Sequence, residues 1–167
     1  MPLIIECDAF ANNAAIPKKY TGDGEDVSPA LRWSGVPAGT AELALICDDP
    51  DAPTPQPWVH WLIYKLSPQF AGLPENVAKM ANPQPPADAV QGKNSFGKLG
   101  YGGPAPPRGH GLHHYHFRLY ALNQTWSRFQ RSLRWRSSGS VASASSRFTD
   151  SRISPSRGSR CSQRASR

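Results

Sequence analysis

The chain is poor in cysteine and in long apolar runs. Its three cysteines, Cys7, Cys47 and Cys161, are too few and too scattered for a disulfide framework. No apolar stretch is long enough to span a bilayer, and no basic segment followed by an apolar one opens the sequence. We therefore expect a soluble, cytoplasmic protein with no signal peptide and no transmembrane segment.

Motifs that would indicate a cofactor or a catalytic metal are also missing. The sequence has no HExxH spacing, no cysteine pair for zinc, no complete nucleotide-binding glycine loop and no GxSxG elbow. Ser95, His60 and Asp49 supply the residue types of a catalytic triad, but the sequence shows no recognisable oxyanion arrangement. The sequence thus predicts no metal and no cofactor, and a metal-dependent or serine hydrolase that uses the histidines is kept as an alternative.

Charge is distributed unevenly. The net charge is +7, but residues 1–123 hold nine Lys/Arg and eleven Asp/Glu, whereas residues 124–167 hold ten Arg, no Lys and one acid. The first part therefore lacks the basic surface that nucleic-acid binding requires. Nucleic acid is a candidate partner only through the basic tail.

The composition changes abruptly at Gln124. Serine and arginine supply 24 of the last 44 residues, and no hydrophobic period is sustained. This composition predicts an irregular or disordered tail. Three interpretations are open: a functional Arg/Ser-rich tail that binds nucleic acid, a membrane-surface tail, or the product of a frameshift. Abundant arginine without lysine favours the frameshift.

Residues 1–123 carry the patterns of an all-β domain. The 17 prolines and 14 glycines of the chain favour loops and short strands. Apolar, β-branched and aromatic residues cluster in strand-length runs, and no helical period separates them. The runs cover residues 3–5, 31–33, 42–49, 58–66 and 113–122. They predict a sandwich-like domain at 1–123, followed by the tail at 124–167.

Polar side chains gather near the ends of three of these strands. Asp49 ends one, His60 lies near the start of the next, and His113 and Tyr115 share one face of the last. Imidazole and phenol groups can donate hydrogen bonds to an anion, and a carboxylate can fix an imidazole tautomer. We therefore expect these four residues to bind a small anion, with the pKa of at least one histidine shifted.

These segments resemble the phosphatidylethanolamine-binding protein family, which includes the Raf kinase inhibitor proteins. Asp49-Pro50-Asp51-Ala52-Pro53, His60-Trp61 and the stretch from Gly100 to Tyr115 are similar to its motifs in order and spacing. The resemblance covers about residues 3–123 and is closest to the bacterial and archaeal branch. It implies an antiparallel, Greek-key-like β-sandwich with a few short helices. It also implies non-enzymatic binding of phosphate, acetate or a phospholipid head group.

The resemblance also assigns roles to individual residues. Asp49, His60, His113 and Tyr115 match the positions that bind the ligand. The residues expected to shape the pocket are Pro50, Asp51 and Trp58, by the resemblance, and Gly102 and Gly103, as donors of backbone N–H groups. The candidate partners are a small anion or phospholipid head group and, by analogy with the Raf kinase inhibitor proteins, a protein kinase.

Two features depart from the family pattern. His114 stands where the family usually has arginine, and we expect its side chain to face away from the pocket. The leucine-rich helix and the final strand of the family are not visible after Asn123. If a frameshift replaced them, the domain would be incomplete and marginally stable, with exposed apolar surface.

Overall fold

The computed structural model describes residues 2–106, 109–125 and 161–165. Within these ranges the only helix is a single 3-10 turn, Lys18–Tyr20, and no helix is long and apolar enough to cross a membrane. The strands are β1 Ile4–Cys7, β2 Leu31–Ser34, β3 Glu42–Asp49, β4 Trp58–Leu66, β5 Gly72–Leu73, β6 Val90–Gln91, β7 His113–Leu122 and β8 Cys161–Ala165.

The strands form two antiparallel sheets. One has the order β1-β2-β5, and the other has the order β6-β4-β3-β7-β8. Ile5 and Trp33 of the first sheet pack in one buried cluster with Leu45, Trp61 and Phe117 of the second. The core therefore lies between the sheets, and the all-β sandwich predicted from the sequence is confirmed.

Burial explains why the sequence forms the three long strands. β3 lies at the centre of its sheet and is buried along nearly its whole length, which matches its continuous apolar run. β7 alternates between buried and half-buried residues, so His113 and Tyr115 face inward while His114 and His116 face the other way. The observed bounds of β4 and β7 coincide with the predicted runs.

Part of the predicted tail is a strand. β8 pairs with β7 from Phe117↔Cys161 to His113↔Ala165, which differs from the expectation of an irregular tail. An unpaired strand edge exposes N–H and C=O groups to which another segment can add, and β7 offers such an edge. The remaining tail, at 126–160 and 166–167, lies outside the described residues. The frameshift interpretation of the tail concerns these residues and stays a prediction.

A buried glutamine attaches the loop before β6 to the sheet. Gln91 is 3% exposed, and its Oε1 accepts a hydrogen bond from Trp61 Nε1 at 2.6 Å. Its Nε2 donates to the carbonyl oxygens of Ala78 at 2.7 Å and Met80 at 2.8 Å. One amide therefore satisfies a buried indole and two loop carbonyls.

Replacing this amide should destabilise the fold. We expect Gln91→Ala to lower the free energy of unfolding by about 2–3 kcal/mol, because buried polar groups lose their partners. Urea denaturation followed by tryptophan fluorescence measures the change. The control is Gln69→Ala, at an exposed position, and an equal effect in both variants would contradict the role given to Gln91.

Candidate anion-binding site

Three neighbouring strands bring the predicted site residues together. Asp49 is the last residue of β3, and it is paired with Trp58 at the start of β4. His113 is the first residue of β7, the other neighbour of β3. A register shift between Cys47 and Asp48 disturbs the ladder with β4 at this point. Asp49 lies at this end of β3, so its carboxylate lies within reach of both neighbouring strands.

The carboxylate of Asp49 is buried and accepts two hydrogen bonds. Its Oδ2 lies 2.7 Å from His113 Nδ1, and the two side chains are 5% and 2% exposed. Its Oδ1 accepts a hydrogen bond from the backbone N–H of Asp51 at 2.9 Å. The carboxylate therefore has partners inside the protein, and its charge is partly compensated before any ligand binds.

The hydrogen bonds fix the tautomers of both buried imidazoles. His60 Nδ1 lies 2.6 Å from the carbonyl oxygen of Gly102, which can only accept, so Nδ1 carries the hydrogen. His113 Nδ1 likewise donates to the carboxylate of Asp49. In each ring the other nitrogen, Nε2, therefore carries no hydrogen when the imidazole is neutral.

Burial shifts the acid–base properties of two site residues. It lowers the pKa of His60, although the hydrogen bond to Gly102 and the charge of Asp49 oppose this shift. It raises the pKa of Tyr115, and the negative charge of Asp49 adds to the increase. His60 is thus biased toward its neutral form and Tyr115 remains a phenol at neutral pH. The expectation of a shifted histidine pKa rested on a protonated ring beside the anion, whereas the shift at His60 favours the neutral ring.

The glycine loop shapes the site from within. The backbone N–H of Gly102 donates to the carbonyl oxygen of His60 at 2.8 Å, and that of Gly103 donates to Asp26 Oδ1 at 2.6 Å. A Cβ on Gly103 would lie 2.6–2.7 Å from backbone atoms of residues 20–22, so only glycine fits. Both N–H groups are used internally. The expectation that they donate to an anion is therefore wrong for this conformation.

The carboxylates of Asp48, Asp49 and Asp51 each bind a different side chain. Asp51 Oδ2 accepts hydrogen bonds from His114, from the backbone N at 2.8 Å and from Nδ1 at 2.6 Å. Burial raises the pKa of Asp51, but these hydrogen bonds outweigh it and the net shift is downward. Asp48 pairs instead with Arg118 Nη1 at 2.9 Å, and burial raises its pKa. Only Asp49 of the three reaches His113.

Two aromatic rings lie beside His60. Phe96 contacts Trp58 edge-to-face, with ring centroids 5.3 Å apart, and contacts the His60 ring in the same way at 5.4 Å. His60 in turn contacts the Tyr115 ring at 5.1 Å. The position of Trp58 near the pocket was predicted from the resemblance. Phe96 was not singled out, since a single phenylalanine in a glycine-containing loop carries no sequence signal.

The hydrolase alternatives find no support in this arrangement. Asp49 bonds His113 and not His60, and Ser95 Oγ accepts a hydrogen bond from the backbone N–H of Val59 at 2.9 Å. The Ser95–His60–Asp49 triad is therefore not assembled. Within the described ranges, no group of three or more His, Cys, Asp or Glu residues could hold a metal ion.

Comparison with known families identifies this arrangement. Residues 6–149 match the sequence profile described as phosphatidylethanolamine-binding protein. The chain belongs to this family. The match runs past residue 123, where the domain boundary was predicted, and it includes all four residues of the candidate site.

Two relatives from archaea are similar to this chain in sequence. A UPF0098 protein of Methanothermobacter thermautotrophicus is 50% identical over 119 residues, which cover 71% of this chain and 76% of the relative. A Pyrococcus horikoshii relative is 45% identical over 116 residues, and the match covers 70% of this chain but only 58% of the relative.

Two crystal structures share the fold at moderate identity. Escherichia coli YbcL, described as a member of the mammalian family, superposes with a TM-score of 0.69 at 29% identity, covering 81% of this chain and 91% of YbcL. A homologue from Chlamydia trachomatis gives a TM-score of 0.63 at 37% identity, covering 74% of this chain and 77% of that protein.

The fixed tautomers can be tested directly. In ¹⁵N-histidine NMR spectra of the free protein, the neutral forms of His60 and His113 should both show protonated Nδ1 and unprotonated Nε2. Spectra of His60→Gln and His113→Gln assign the signals. Observation of Nε2–H tautomers would contradict the hydrogen bonds to Gly102 and Asp49.

Proposed function

We propose that this member of the phosphatidylethanolamine-binding protein family binds a small anion without catalysing a reaction. The ligand class is phosphate, acetate or the phosphate of a phospholipid head group, and the ligand-binding residues are Asp49, His60, His113 and Tyr115. The observation that supports the proposal is a pair of buried imidazoles, each held by its Nδ1 hydrogen. Each ring therefore has one nitrogen, Nε2, available to a ligand.

The tautomers determine how an anion can be accommodated. A neutral imidazole with hydrogen on Nδ1 presents a lone pair at Nε2, which repels an anion. Protonation of Nε2 turns the ring into a cationic donor, and the hydrogen bond that results is charge-assisted and strong. Alternatively, a protonated phosphate can donate its own hydroxyl to Nε2. In both cases a proton lies between ligand and ring.

The proposed partner rests on family membership, and the proposed location rests on the few, scattered cysteines of the sequence. A protein kinase is the proposed protein partner, by analogy with the Raf kinase inhibitor proteins, and the cytoplasm is the proposed location. A pull-down of the purified chain with candidate kinases, repeated in the presence of excess phosphate, tests the first. Loss of kinase binding on adding phosphate would show that the partner uses the anion site.

Removing either imidazole should weaken anion binding. We expect His60→Gln and His113→Gln each to raise the Kd for inorganic phosphate about tenfold, because a charge-assisted hydrogen bond contributes about 1.5–3 kcal/mol. Isothermal titration calorimetry measures the affinity. The matched control is His114→Gln, next to His113 but on the opposite face of β7, and it should bind like the wild type. Wild-type affinity in both test variants would contradict the site.

Acetate binding should weaken as the pH rises. Burial lowers the pKa of His60 in the free protein, and a bound anion favours the imidazolium and raises the pKa in the complex. Between these two pKa values the complex holds more protons than the free protein, so binding takes up protons. The association constant should then fall by up to about tenfold per pH unit for one proton.

Acetate suits this measurement because its own charge stays constant between about pH 6 and pH 8. Titrations in two buffers of different ionisation enthalpy report the number of protons taken up. His60→Gln should reduce the slope of the acetate association constant with pH. At high pH, where the wild-type ring is neutral, the variant and the wild type should differ little in acetate affinity. A pH-independent affinity in the wild type would show that neither imidazole is protonated on binding.

A further inference from the structure

Phe96 is an exposed aromatic residue at the candidate anion site. Its side chain is 45% exposed. The same ring makes edge-to-face contacts with Trp58 and His60. One part of the ring therefore touches the site, and the other part faces solvent. An exposed ring in this position needs a physical explanation beyond core packing.

The loop that carries Phe96 is internally braced. Asn94 is 6% exposed, and its Oδ1 accepts hydrogen bonds from the backbone N–H groups of Phe96 and Lys98, both at 3.1 Å. Its Nδ2 donates to the carbonyl oxygen of Gly100 at 3.0 Å. The backbone of Lys93 bridges that of Leu99 and closes the loop. Phe96 is therefore presented by a loop whose shape is set before a ligand arrives.

A glycine gives the ring its space. A Cβ on Gly102 would lie 3.0 Å from the Phe96 ring and 3.2 Å from Asn94 Nδ2. Gly102 is also the residue whose carbonyl oxygen holds the His60 ring. The same backbone segment thus orients the imidazole and admits the phenylalanine beside it, so the two rings are positioned together.

We propose that Phe96, with Trp58, forms an apolar subsite that selects small organic anions whose charged group carries an apolar substituent. This inference rests on the proposed anion site. When the charged group binds at His60, a substituent bonded directly to it extends to the Phe96 ring, whose centroid is 5.4 Å from that of His60. Contact with the exposed ring removes apolar surface of both groups from water. Phe96 is therefore a specificity-determining residue.

A pair of phosphonates isolates this contribution. Methylphosphonate and phenylphosphonate carry the same charged group and differ only in the substituent, and neither has a phosphate ester bond that can be hydrolysed. The wild type should bind phenylphosphonate about fivefold more tightly, which is the size expected for one additional aromatic contact. Isothermal titration calorimetry at one pH and one salt concentration gives the ratio of the two Kd values.

Three variants test the residue. In Phe96→Ala the ratio should fall toward one, with Trp58 keeping a small residual preference, and the Kd for methylphosphonate should rise less than that for phenylphosphonate. Phe96→Tyr keeps the ring and should keep the ratio. Met80→Ala removes another exposed apolar side chain, 51% exposed in the loop before β6, and should also keep it.

The outcomes separate this inference from the proposed function. Equal binding of the two phosphonates by the wild type would overturn the apolar subsite and leave the anion site standing. An unchanged ratio in Phe96→Ala, or an equal loss in Met80→Ala, would overturn the role of Phe96. Binding of neither phosphonate, nor of inorganic phosphate, would overturn the anion site and this inference with it.

Discussion

The buried hydrogen bond between Asp49 and His113 is the contact on which the site depends. It joins the last residue of β3 to the first residue of β7 at 2.7 Å. The antiparallel pairing of β3 with β7 extends from Glu42↔Leu122 to Asp48↔His116 and leads up to this hydrogen bond. Most of the paired residues are buried. A buried carboxylate without partners is strongly destabilising, so the hydrogen bond allows the core to end in a polar group. The proposed anion site lies where the apolar ladder stops.

Much of this arrangement follows from the sequence. The strand that contains His60 and the strand that begins at His113 were predicted with their observed bounds, because β-branched and aromatic residues fill both runs. The two-residue period then places His113 and Tyr115 on one face and His114 on the other. Strand pairing, however, is a tertiary property. The spacing of residues along the sequence does not show that Asp49 bonds His113, since His60 is closer to Asp49 in the sequence.

The features that were missed arise from contacts between distant segments. Gln91 carries no sequence signal, yet its amide connects Trp61 to the loop before β6. Phe96 is positioned by Asn94 and by the absence of a side chain at Gly102. The glycine N–H groups were expected to face a ligand, but internal acceptors use them. In each case a local pattern identifies a residue type and the fold determines its partner.

A carboxylate at an anion site requires an electrostatic explanation. Asp49 accepts hydrogen bonds from His113 and the backbone of Asp51, so donors inside the protein already face its charge. The first donor also fixes the imidazole so that Nε2 is the ring nitrogen turned away from the carboxylate. In the proposed complex the anion therefore meets Nε2, while the carboxylate lies on the far side of the ring. Asp49 thereby orients the ring toward the proposed anion instead of facing that anion itself.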